Sequence, residues 1–142
     1  MTKTLPERVS DWDRRLARVT EKHLSLPGEW GVSDCLLTAA DAFEAVTGID
    51  YAAAIRGKYS TEQGAAKLLR RRKCKTVEDA LARLFPPTPV LLARRGDAAT
   101  VERDGTIYSG YVCEYGISMK TLAGLTFVPV TEARSAFQVG AR

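Results

Sequence analysis

Apolar residues at three- and four-residue spacing mark the first element. Val9, Trp12, Leu16 and Val19 fall on one stripe and His23 takes the next step along it, so residues 7–24 read as an amphipathic helix. Pro27-Gly28 ends it. A second helix is predicted from Ser33 or Asp34, both good N-caps, through the apolar run that starts at Cys35 to a stop at Gly48. Ser60-Thr61-Glu62-Gln63 has the form of a capping box and opens a third helix that runs into a basic stretch. Thr76 opens a short fourth helix carrying Val77, Ala80, Leu81 and Leu84, and Pro86, Pro87 and Pro89 forbid its continuation.

The period then changes. Residues 97–102, about 106–115, and 117–128 are β-prone runs, with a hairpin signal at Asp104-Gly105 and a weaker turn at Ala123-Gly124. A short helical turn at 131–136 precedes a last strand around Phe137-Gln138-Val139. Helices first and strands second predict an α+β fold. A helical half, about 7–85, packs on a small antiparallel sheet, about 96–140, within a single domain over 1–142.

Composition narrows the classes. The chain has 142 residues, 45% hydrophobic and 27% charged, which excludes a largely disordered protein. No run approaches the ~18 apolar residues of a membrane span, and Met1–Arg8 lacks a signal-peptide core. The chain is therefore expected to be made in the cytoplasm with no membrane span. Net charge is +4, much of it in Arg70–Lys75. That run reads as a solvated helix end, where cations favour the last turn. No aromatic residue interleaves it, so a nucleic-acid partner is not expected.

Candidate chemistry centres on Cys35. It stands at the first turn of a predicted helix, flanked by Asp34, after the glycine-containing loop Trp30-Gly31-Val32-Ser33. Unsatisfied amides at a helix start favour thiolate over thiol, so the position suits a nucleophile; it equally suits a small buried filler. A nucleophilic cysteine needs a base, and His23 is the single histidine. Its place on an apolar stripe fits a packing or helix-end residue better than a base. Cys35, Cys74 and Cys113 are each 39 residues apart, which matches neither zinc-ligand spacing nor a disulfide scaffold. No phosphate-cradling loop occurs. Neither a metal nor a cofactor is expected.

The run Gly31-Val32-Ser33-Asp34-Cys35-Leu36-Leu37 resembles the nucleophile helix of the NlpC-type peptidoglycan peptidases, in the papain-like superfamily. Ala93-Arg94-Arg95-Gly96-Asp97-Ala98 is similar to that family's Gly-Asp before an apolar strand. Ser109-Gly110-Tyr111-Val112-Cys113-Glu114-Tyr115-Gly116 resembles its histidine-bearing strand. The chain is also similar to small phage and prophage proteins of this type encoded near tail-tip genes. They share Trp30–Cys35, Arg56-Gly57-Lys58-Tyr59, Gly96-Asp97 and Gly124–Pro129. The resemblance implies a papain-like core with Cys35 in the nucleophile position. Aligning Gly110 with the family's strand glycine puts Tyr108 where the catalytic histidine should stand, and the third polar residue near Lys120 or Thr121. What it implies is a tail-tip or baseplate protein with a degenerate peptidase site. Its partners would be other tail proteins and peptidoglycan, and its place the virion tail. The alternative is an active peptidase or amidase that cuts cell-wall peptides during genome entry. On this reading Tyr108, or its neighbour Ser109, lies beside Cys35 and His23 does not.

Overall fold

The computed structural model describes residues 4–142. Four helices precede a six-stranded sheet: α1 (Trp12–Leu24), α2 (Cys35–Thr47), α3 (Glu62–Arg71) and α4 (Val77–Leu84). The strands are β1 (Pro87–Thr88), β2 (Ala98–Arg103), β3 (Thr106–Cys113), β4 (Gly116–Thr121), β5 (Gly124–Val128) and β6 (Ser135–Phe137). Every pairing is antiparallel, in the order β1-β6-β2-β3-β4-β5. The fold is α+β. Among the described residues no helix is long and apolar enough to cross a membrane.

Local chemistry explains the helix ends. Asp34 caps α2 by accepting from the Leu37 amide, and Gly48 leaves it in the left-handed conformation at φ 80°. Thr61, one residue later than the sequence pattern suggests, caps α3, and a capping box closes over Thr76 and Asp79 at α4. Helix α1 begins at Trp12 rather than near residue 7, because the Val9 amide is spent on the Val46 carbonyl at the end of α2. The basic run is a helix end. Arg72 caps α3, Lys73 turns left-handed, and the Arg83 guanidinium donates to the Arg72 and Lys73 carbonyls.

The sheet alternates cleanly. On one face Ala98, Tyr111, Cys113 and Phe137 join Leu16, Phe43, Val46, Leu81 and Phe85 from the helices in the main core. On the other, Val101, Val112, Ile117, Met119 and Val128 form a second layer, covered in part by Ala93, Val130 and Ala133. Two short 3-10 turns, Val90–Leu92 and Val130–Glu132, contact one another there. The second replaces the helical turn expected at 131–136, and the last strand ends at Phe137 instead of Val139.

One buried carboxylate locks the chain's distant segments to the sheet. Asp97, fully buried, accepts from the Arg94 and Val139 amides and from the guanidinium groups of Arg8 and Arg142. Removing it strands two cations beside the core. Asp97→Ala is expected to cost about 3 kcal/mol in chemical denaturation. That is the low end for a broken buried pair, because Arg142 keeps enough exposure to rehydrate. A loss below about 1 kcal/mol would contradict this role.

Candidate functional site

The site grows from a loop that cannot sit elsewhere. Gly31 has φ 81°, and a Cβ there would lie 1.8 Å from the Tyr59 carbonyl oxygen. The Gly57 amide donates to the Gly31 carbonyl at 3.1 Å. Residues 31–34 are thus pressed against residues 57–59, and the Asp34 carboxylate lies between them. It accepts from the Gly31 amide (2.9 Å), the Leu37 amide (2.9 Å) and the Tyr59 hydroxyl (2.5 Å). Burial and this bond to Asp34 raise the Tyr59 phenol above its ordinary value, so it is a permanent donor. Asp34 is a structural anchor.

Cys35 opens α2 directly on this anchor and packs over β3. It is half-buried at the wall of a groove of about 290 Å³ bounded by Trp30, Tyr59, Leu68, Leu69 and Ile107. The helix-start expectation of a lowered thiol pKa does not hold. Burial raises it; the Ser109 hydroxyl and amide pull it down; the Asp34 charge raises it again, and the net shift is upward. One of the first-turn amides, that of Leu37, is already spent on Asp34.

Ser109 is the residue that faces Cys35. Its hydroxyl is fully buried and has no hydrogen-bond partner among the described residues, yet it lies where it would favour a thiolate. Tyr108, aligned with the missing histidine, points the other way. In β3 it pairs with Val101 and packs with the second layer, whereas Ser109 pairs with Thr100 on the helix-facing side. Tyr108 still borders the groove through its place on the strand. A one-residue slip in a strand exchanges the faces, so the position opposite the sulfur is Ser109.

His23 is elsewhere. It is 1% exposed, with Nε2 2.8 Å from Asp41 Oδ2 and Nδ1 3.5 Å from Thr38 Oγ1. Both ring nitrogens are therefore engaged. Asp41 in turn accepts from Arg56, which also holds Asp50. Burial alone would raise the Asp41 carboxyl; the hydrogen bond from His23 and the charge of Arg56 hold it below its ordinary value. Lys120, at the place expected for a third polar residue, is buried and donates to the His23 carbonyl (3.0 Å) and the Leu26 carbonyl (2.7 Å), closing the end of α1. Burial lowers its pKa. Among the described residues no cluster of histidine, cysteine and carboxylate could hold a metal ion.

Of the two residues expected beside Cys35, Tyr108 or Ser109, it is Ser109 that faces the sulfur; the sequence missed Tyr59 as the clamp on Asp34 and Lys120 as a helix cap. The shared run Arg56-Gly57-Lys58-Tyr59 was the one available signal for Tyr59. Its arginine, glycine and tyrosine each bind this region, to Asp41 and Asp50, to Gly31, and to Asp34.

A sequence profile described as "Domain of unknown function (DUF6950)" matches residues 7–139, and the chain belongs to that family. No curated protein and no solved structure matches the chain.

Two outcomes are expected. Alkylation of Cys35 by iodoacetamide at neutral pH should be slower than that of a solvated thiol, slower again in Ser109→Ala, and faster in Asp34→Asn, which removes the adjacent charge. Rates unchanged in both variants would contradict the assignment. Stability should also depend on the Asp41 pair. A carboxyl depressed in the folded state stabilises fully above its unfolded value of ~3.9, and that contribution is lost as pH falls through the folded value. Asp41→Asn should flatten the acid limb of the stability curve; an unchanged limb would contradict it.

Proposed function

We propose that this member of the DUF6950 family is a non-hydrolytic, papain-like protein of NlpC type that serves as a structural component of a phage tail tip or baseplate. The observation that carries the non-hydrolytic part is the group opposite the sulfur. Cys35 faces the Ser109 hydroxyl, and the single imidazole is bonded to Asp41 and Thr38. A hydroxyl cannot take the thiol proton at neutral pH, so no thiolate–imidazolium pair forms. An intact triad supplies orders of magnitude in rate; this arrangement supplies none of that.

The NlpC-type part is supported by order and placement. A leading helix, a cysteine-headed helix, intervening helices and an antiparallel sheet follow one another, with the cysteine helix packed on β3 and β4. The tail assignment rests on the four shared runs, and the structure gives each a scaffold duty. Trp30–Cys35 and Arg56–Tyr59 clasp one another, Gly96-Asp97 anchors the start of β2, and Gly124–Pro129 forms β5 and its exit. Such residues hold a shape for partners to bind, here other tail or baseplate proteins, in the virion. Peptidoglycan would be a surface met during entry, and nucleic acid is not a partner on this reading.

The second reading, an active peptidoglycan peptidase or amidase, is favoured by one feature: Cys35 is still reachable from the groove. It needs a histidine from a partner chain. The discriminating experiment is incubation of the purified protein with peptidoglycan, following turbidity and newly released amines, beside Cys35→Ala. No hydrolysis by either protein is expected. Hydrolysis by the wild type that vanishes in Cys35→Ala would overturn the proposal.

A further inference from the structure

Away from the cysteine groove, a pocket of about 530 Å³ is lined by Glu7, Arg8, Trp12, Arg94, Arg95 and Arg142. Arg8 is built in. Its side chain runs between Gly96 and Gly140, both left-handed, where added Cβ atoms would come within 3.0 Å and 2.9 Å of it. Its guanidinium donates to the carbonyls of Val139 and Arg95 and to Asp97, and lies 4.4 Å from the centre of the Trp12 ring. Arg142 forks onto the same Asp97. Arg95 stands 5.5 Å from the same Trp12 ring centre.

The charge does not balance. Among side chains, four guanidinium groups face two carboxylates, Glu7 and the buried Asp97, which leaves a side-chain surplus of two. Among the described residues no carboxylate pairs with Arg94 or Arg95. Packing like charges around one carboxylate has no structural return by itself; Asp97 needs only Arg8 and Arg142. An arginine fork matches phosphate oxygens two at a time. A phosphate monoester or inorganic phosphate carries about −1.5 to −2 near neutral pH, which matches the surplus where a single carboxylate or a phosphodiester would not.

We infer that the pocket beside Trp12 is a binding site for a phosphate dianion, free or as a monoester, held by Arg94 and Arg95 with Arg8 and Arg142 as the preset floor. The nearby cations also act on Arg8. Burial lowers its pKa, and Arg142 and Arg94 lower it further against the pull of Asp97. The inference is independent of Cys35 and of the tail assignment.

The test uses the reporter already in place. The chain has two tryptophans, so Trp30→Phe leaves Trp12 as sole emitter. Titration of that variant with inorganic phosphate and with glycerol 3-phosphate, at constant ionic strength, should give a saturable change in emission. Acetate should give none. Tighter binding of the ester assigns a phosphorylated ligand, and tighter binding of the ion assigns free phosphate. The added pair Arg94→Gln and Arg95→Gln should weaken binding about tenfold or more and lower the thermal midpoint of the unliganded protein only slightly, since among the described residues neither guanidinium has an ion pair and Arg95 loses only its cation–π contact with Trp12. No saturable response, an equal response to acetate, or the same affinity in the double variant would overturn the inference.

Discussion

The Asp34 carboxylate is the constraint on which the rest of the structure turns. Three donors converge on it: a loop amide, a first-turn helix amide and a phenol from a segment 25 residues on. Through them the 31–34 loop, helix α2 and the 57–59 segment are held as one unit. Each bond is a charge-assisted one to a buried acceptor, the strong kind. The same charge sits next to the Cys35 sulfur. What caps the helix therefore opposes a thiolate, and only a neighbouring cation could outweigh it. An imidazolium would; the neutral hydroxyl of Ser109 does not.

This gives a physical account of how a cysteine can keep a nucleophile's address without a nucleophile's reactivity. The address comes from packing. Cys35 has to head α2 because Asp34 must cap it, and α2 has to lie on β3 because Phe43, Val46 and Tyr111 share the main core. Reactivity comes from one strand position, Ser109, and from where the single histidine went. His23 went under α2, to Asp41, where with Lys120 it fixes α1 against the sheet. The scaffold and the chemistry are set by different residues, so one can persist without the other.

Much of the fold was legible because its signals are local. The caps at Asp34 and Thr76, the stop at Gly48 and the hairpin at Asp104-Gly105 each carry their own chemistry within a few residues. The short strands at one side of the sheet were legible only in part. The edge strand β1, two residues within a proline-rich stretch, gave no signal, and the expected last strand is displaced to Ser135–Phe137, between β1 and β2, with Asp97 holding Val139 and Arg142 just beyond it. In the site, Cys35 and Asp34 were visible as a helix start. The facing group was narrowed to Tyr108 or Ser109, and the structure selects Ser109. Alignment on Gly110 selects Tyr108, but strand alternation sends that ring to the opposite layer. Tyr59 and Lys120 act across 25 and 97 residues of sequence, a range at which no local pattern speaks.

The most direct measurement is the pH titration of thiolate ultraviolet absorbance, taken as the difference between the wild type and Cys35→Ser. The account predicts no Cys35 thiolate at neutral pH, with absorbance appearing only above the ordinary thiol range. A thiolate signal from Cys35 at or below neutral pH would mean that a cation reaches the sulfur, and would contradict it.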